Sequence, residues 1–128
     1  MALKKSKKNV NKHDFVTALR KGDTVMVIAG GNSKKEAFRG KVGKIVKFQP
    51  KKNRVLVEGI NMVKRHRKAR STQESSGIMT KEAGLHISNV MYYVETLKRP
   101  VRLRFKVLEN GSKVRGYTHP QTKNFEQI

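Results

Sequence analysis

Three segments, "TVMVIA" at residues 24–29, "KVGKIVKF" at 41–48 and "NRVLVEGI" at 53–60, decide between helix and sheet. Each is short and rich in Val and Ile, whose branched Cβ restricts χ1 and suits a pleated surface better than a helical turn. Turn residues punctuate them: Gly30-Gly31 follows the first, and "QPKKN" at 49–53 separates the other two. Pro50 presets the φ of a turn and Asn53 accepts a left-handed backbone, so 41–60 reads as a hairpin in an antiparallel β domain. Upstream, "HDFVTALRKG" at 13–22 sets Phe15, Ala18 and Leu19 at helical spacing between a capping Asp14 and Gly22, which predicts a short helix or helical turn.

Downstream, "VRLRFKV" at 101–107 alternates Val101, Leu103, Phe105 and Val107 with Arg102, Arg104 and Lys106, predicting a strand with one core face and one cationic face. Asn110-Gly111 suits a two-residue hairpin turn. That turn would pair Val107 with Val114, Phe105 with Gly116, and Lys106 with Arg115. Like charges directly opposite each other destabilise a sheet, so an anion is expected between Lys106 and Arg115. The last stretch, "THPQTKNFEQI" at 118–128, reads as an extended polar tail in which only Phe125 and Ile128 could dock. One small core is expected, because 128 residues at 36% hydrophobic content suit a single domain.

Charge narrows the function. Thirty Lys and Arg against nine Asp and Glu give a net charge of +21, far beyond what solubility calls for. With Lys4, Lys5, Lys7, Lys8 and Lys12 and little to bury, residues 1–12 are expected to form a flexible basic arm. The stretch "VKRHRKARS" at 63–71 holds Lys64, Arg65, Arg67, Lys68 and Arg70 without a carboxylate among them. Charge runs are ordinarily solvated surface, but a block without internal counter-charges is better explained by a polyanionic partner. Residues 64–84 offer only Ala69, Ile78, Met79 and Ala83 for burial, so they read as a basic extended loop. With aromatics at 6%, base stacking is not expected to be the main mode, and phosphate and shape recognition of RNA are favoured over DNA packaging.

Other classes are weak. Asp14 and Asp23 are the only aspartates, and the glutamates form no close pair in a structured segment, so paired-carboxylate catalysis has no support. His13, His66, His86 and His119 lie in separate segments without metal-ligand spacing, no cysteine is present, and no metal or cofactor is expected. Gly30-Gly31 with Lys34 and Lys35 lacks the closing Gly-Lys-Ser/Thr of a phosphate loop. No apolar run is long enough to span a membrane, residues 1–12 lack the apolar segment of a signal peptide, and no amphipathic helix suits a membrane surface. No membrane and no small-molecule substrate is expected, and the chain should remain in the cytoplasm.

"GDTVMVIAGG", "RGKVGKIVKF", "RVLVEGINMVKRHRK", "SGIMTKEAGLHISNVMYYV" and "RFKVLENGSKVRGY", in that order over residues 20–117, resemble the universal KOW-domain ribosomal protein family, the bacterial-type large-subunit protein twenty-four. The resemblance implies a small all-β, SH3-like KOW barrel over 13–63 with additional strands and a hairpin over 85–117. It also implies direct binding of large-subunit rRNA, early in assembly and near the polypeptide tunnel exit, beside neighbouring ribosomal proteins. Under it, Gly22 opens the KOW strand and Gly40 forms its turn beside Arg39, Lys41 and Lys44. Gly59 marks a bulge leading into the rRNA-contacting Lys64, Arg65, His66, Arg67, Lys68 and Arg70. Lys4, Lys5, Lys7, Lys8, Arg102, Arg104, Lys106 and Arg115 are the remaining expected rRNA contacts. The connection "GGNSKKEAFRG" at 30–40 is longer than the family's compact Gly-Lys turn. A free KOW-domain regulator of transcription or translation is the alternative, and an RNA-modifying enzyme ranks third.

Overall fold

Val25 and Val27 alternate with Thr24 and Met26 in the first strand, β1 (Thr24–Val27), and the two valines are fully buried. The computed structural model describes residues 17–31 and 37–128. In chain order there follow β2 (Val42–Gln49), β3 (Arg54–Val57), β4 (Met62–Arg67), β5 (Gly77–Glu82), β6 (Leu85–His86) and β7 (Val90–Val94). β8 (Arg99–Val101), β9 (Leu103–Val107), β10 (Lys113–Thr118) and β11 (Phe125–Gln127) complete the order. The fold is all-β, as the Val/Ile patterning predicts. Six strands form an antiparallel sheet in the order β6-β3-β2-β1-β7-β8, consistent with an SH3-like KOW fold, although the described strands do not close into a barrel.

Val25, Val27, Ile45, Val55, Val57, Ile60, Leu85 and Val90 form the core of this sheet, with Leu19, Phe38, Phe48 and Ile87 packed against it. Phe38 accounts for part of the long 30–40 connection, since it brings an aromatic ring over Gly30, where a Cβ would stand 3.4 Å from it. The turn between β2 and β3 is as predicted: a 3₁₀ turn at Pro50–Lys52 ends on Asn53 at φ 51°. Gly22 and Gly40 both adopt positive φ, 90° and 83°. The predicted bulge at Gly59 is not one. Gly59 (φ 68°) lies in the turn between β3 and β4, whereas the register of the sheet shifts in β2, between Ile45 and Lys47.

Several expectations require correction. Residues 13–16 of the predicted helix lie outside the described residues, and 17–21 are not helical. There the Thr17 hydroxyl accepts from the Leu19 amide and Asp23 accepts from the Arg20 amide, local bonds that compete with a helical turn. Residues 64–84 are no loop: β4 and β5 pair from Met62↔Glu82 to Arg67↔Gly77, leaving 68–76 as the connection. Counting apolar residues missed this ribbon because its strands bury almost nothing; ladder hydrogen bonds need no apolar face. Asn61 secures its base, exchanging bonds with the backbone of Ala83.

The terminal hairpin is shifted by one residue. Gly111, at φ 80°, donates its amide to the Leu108 carbonyl, and the Leu108 amide reaches Ser112, so three residues rather than two form the connection. Lys106 therefore faces Val114, and Arg115 faces Phe105. The expected core face is also wrong beyond Leu103: Phe105 and Val107 are exposed. The polar tail is likewise ordered, since β11 pairs with β10 through Gly116↔Gln127, Tyr117↔Glu126 and Thr118↔Phe125. Gly116 permits this. A Cβ there would stand 2.6 Å from the Phe125 ring and would collide with the Glu126 carbonyl. A second cluster of Val94, Val101 and Tyr117, with Tyr92 and Leu97, joins this three-stranded sheet to the main one.

Candidate nucleic-acid interface

β4 and the start of the 68–76 connection carry the densest positive charge, on a β4–β5 scaffold exposed along nearly its whole length. Side chains alternate across a strand, so Lys64 and His66 project from one face of the ribbon while Arg65 and Arg67 project from the other. Arg67 and Glu74 form an ion pair of 3.4 Å across the connection, and the same guanidinium reaches the Met79 sulfur at 3.9 Å. Glu74 also accepts from the Arg70 amide, so the basic run borrows one carboxylate from beyond its own sequence. Among the described residues no carboxylate lies within ion-pair distance of Lys64, Arg65, Lys68 or Arg70. Exposed pairs contribute little. The ribbon thus remains strongly cationic on both faces.

Arg39, Lys41 and Lys44 are all exposed around the Gly40 turn and the start of β2. Gly40 has open space where a Cβ would be, so its positive φ, rather than crowding, explains the glycine. Arg102, Arg104 and Lys106 are exposed along the β8–β9 stretch. Lys4, Lys5, Lys7 and Lys8 lie outside the described residues, as do Lys34 and Lys35.

Arg115 leaves the candidate surface. Its Nη1 donates to Asp23 Oδ2 at 2.5 Å and to the Ala18 carbonyl at 3.0 Å, and its Nη2 donates to Asp23 Oδ1 at 3.1 Å. No anion is needed between Lys106 and Arg115, because the two are not partners. The sequence offers no signal for this pairing, because Asp23 already has Arg20 and Lys21 beside it along the chain and Arg115 lies 92 residues away.

His86 and His119 serve as backbone caps: His86 accepts from the Ser88 amide, and His119 Nδ1 accepts from the Gln121 and Thr122 amides. Among the described residues no group of three His, Cys, Asp or Glu could hold a metal ion. Tyr117 donates its hydroxyl to the Glu126 carboxylate. That bond, with burial and the Glu126 charge adding to it, pushes the phenol up from 10.0 to about 12.

The sequence profile of the large ribosomal subunit protein uL24 C-terminal domain matches residues 60–119, from the turn after β3 through the ribbon and β6–β9 to the end of β10. Relatives named large ribosomal subunit protein uL24 match this chain over most of their length. The one from Pelobacter propionicus is 54% identical over 99 residues, covering 77% of this chain and 85% of the relative. That from Desulforamulus reducens is 52% identical over 101 residues, 79% of this chain and 90% of the relative. That from Trichlorobacter lovleyi is 57% identical over 95 residues, 74% and 82% respectively. With its KOW-like sheet, its basic ribbon and identity above half over most of both chains, this chain belongs to the uL24 family.

Proposed function

We propose that this chain is a structural constituent of the large ribosomal subunit that binds 23S-type rRNA directly. The uL24 family is structural rather than enzymatic. The observation that carries the reading is the β4–β5 ribbon with its 68–76 connection, where Lys64, Arg65, Lys68 and Arg70 have no carboxylate partner within ion-pair distance among the described residues. Phosphates supply the counter-charge that the chain lacks, and the core sheet fixes the register in which the cations meet them. Arg39, Lys41, Lys44, His66, Arg67, Arg102, Arg104 and Lys106 extend the contact, and the basic residues of 1–12 add to it. Binding occurs early in subunit assembly, near the polypeptide tunnel exit, with neighbouring ribosomal proteins alongside.

Filter binding against tiles of large-subunit rRNA tests the reading, with sedimentation of native particles beside it. A preference for 5′-region tiles over unrelated structured RNA of equal length is expected, together with stoichiometric retention in large subunits after a high-salt wash. Equal binding to every RNA, with loss from the washed subunit, would point instead to a free RNA-binding regulator.

A further inference from the structure

Phe105 and Val107 alternate along β9 as core residues would, yet they are 46% and 64% exposed. The observed register pairs Val107 with Lys113 and Phe105 with Arg115, so these four side chains share one face of the hairpin. Nearer the body, this face is engaged, since Arg115 reaches Asp23 and Tyr117 holds Glu126. Toward the tip it carries an exposed apolar ledge and a cation, with Lys113 Nζ 4.6 Å from the centroid of the Phe105 ring and with Leu108 and Glu109 exposed at the turn itself.

Two kinds of partner could cover such a ledge. The buried centre of a protein interface is depleted of charge, and of Lys in particular, whereas here an ammonium sits on the aromatic ring itself. Arg104 and Lys106 are exposed on the reverse of the same strand. A ligand that is flat and apolar on its face and anionic along its edge matches both features, and that is the description of a nucleotide. A paired base within an A-form helix has no free face to offer, so the nucleotide must be unpaired.

Resting on the reading of this chain as an rRNA-binding protein, we propose that Phe105 and Val107 form a stacking platform for one unpaired nucleobase of the rRNA, with Lys113 neutralising that nucleotide's phosphate. The β9–β10 hairpin thus reads a local RNA feature, while the β4–β5 ribbon reads phosphate density.

The test uses the full chain, the rRNA tile that binds the parent most tightly, and a perfectly paired RNA duplex as comparator. Phe105→Leu should weaken binding to the tile by about five- to 150-fold, the ~1–3 kcal/mol of one base stacked on an aromatic ring. It should leave the duplex, and the slope of log K against log salt, unchanged, because no phosphate contact is lost. Phe105→Trp should restore most of the affinity. An unchanged melting midpoint, as an exposed position implies, shows that folding is not the cause. Parental binding by Phe105→Leu overturns the proposal, as does an equal loss on tile and duplex. Parental RNA binding combined with failure to enter reconstituted subunits overturns it in favour of a protein occupant. If the parent itself prefers no tile over the duplex, the rRNA reading fails first, and that outcome is distinct from all the others.

Discussion

At the scale of the residue, Arg115 decides most. Its guanidinium forks onto both oxygens of Asp23, with the two side chains only 10% and 11% exposed. Removing one partner of such a pair strands the other charge away from water, at a cost of about 3–5 kcal/mol when burial is complete. Arg115→Met should therefore lower the urea midpoint clearly. Adding Asp23→Leu should recover part of the loss, because nothing charged is then left behind; a double variant as unstable as the sum of the singles would show that the pair is not coupled. Tyr117 sets a second expectation. A phenol raised from 10.0 to about 12 in the folded chain binds its proton more tightly there than when unfolded. Its contribution to stability is whole below pH 10 and is lost as pH rises toward 12. Melting curves of the parent should fall more steeply than those of Tyr117→Phe across that window. Parallel curves would remove Tyr117 from the account.

Among the elements, β11 and the β4–β5 ribbon bury little. β11 is held by backbone pairing across Gly116 and by the Ile128 amide, which donates to the Arg115 carbonyl at 3.0 Å. Gly116→Ala places a methyl group into the Glu126 carbonyl and the Phe125 ring, an overpacking worth roughly 1–3 kcal/mol. The strand should peel away, and hydrogen exchange at Ile128 should accelerate while Val25 stays protected. Retained protection at Ile128 would mean that the sheet shifts to accept the methyl. The ribbon behaves in the opposite way. Arg65 and Lys68 are exposed and unpaired among the described residues, so changing both to Glu should move the melting midpoint by little. Binding to rRNA should fall by several kcal/mol on the order of two charge-assisted contacts turned repulsive. Parental affinity would make the ribbon a solvated surface and send the search to Arg39, Lys41 and Lys44.

For the whole molecule, a net charge of +21 is the controlling quantity. Each neutralised phosphate releases counter-ions, so log K should fall by about 0.7–0.9 per contact for each decade of salt. If the ribbon, the Gly40 turn and the β8–β9 stretch all engage phosphate as proposed, the slope should be steep, and the Arg65→Glu, Lys68→Glu variant should flatten it by the share of two contacts. A slope near zero in the parent would remove phosphate neutralisation as the basis of binding. The valine core and the Val94–Val101–Tyr117 cluster are assembled from residues of this chain alone, so the described residues are expected to fold without that partner.

Legible along the chain were the β class, the hairpin through Pro50 and Asn53, and the cationic character of 64–70. Periodicity, turn chemistry and charge are properties of neighbours along the chain, and they need no knowledge of what lies across from them. Tertiary structure alone decided the β4–β5 ribbon and β11, because strands paired through their backbones leave no apolar signature when both faces meet water. It also decided the register of β9 on β10, where the hydrogen bonds of a three-residue connection moved every facing pair by one position. That single step took Arg115 from the phosphate surface to Asp23, and it brought Phe105 onto the same outward face as Lys113. A one-residue slip exchanges the partners of a strand while leaving its alternating pattern untouched, which is why the pattern could be read in advance and the partners could not.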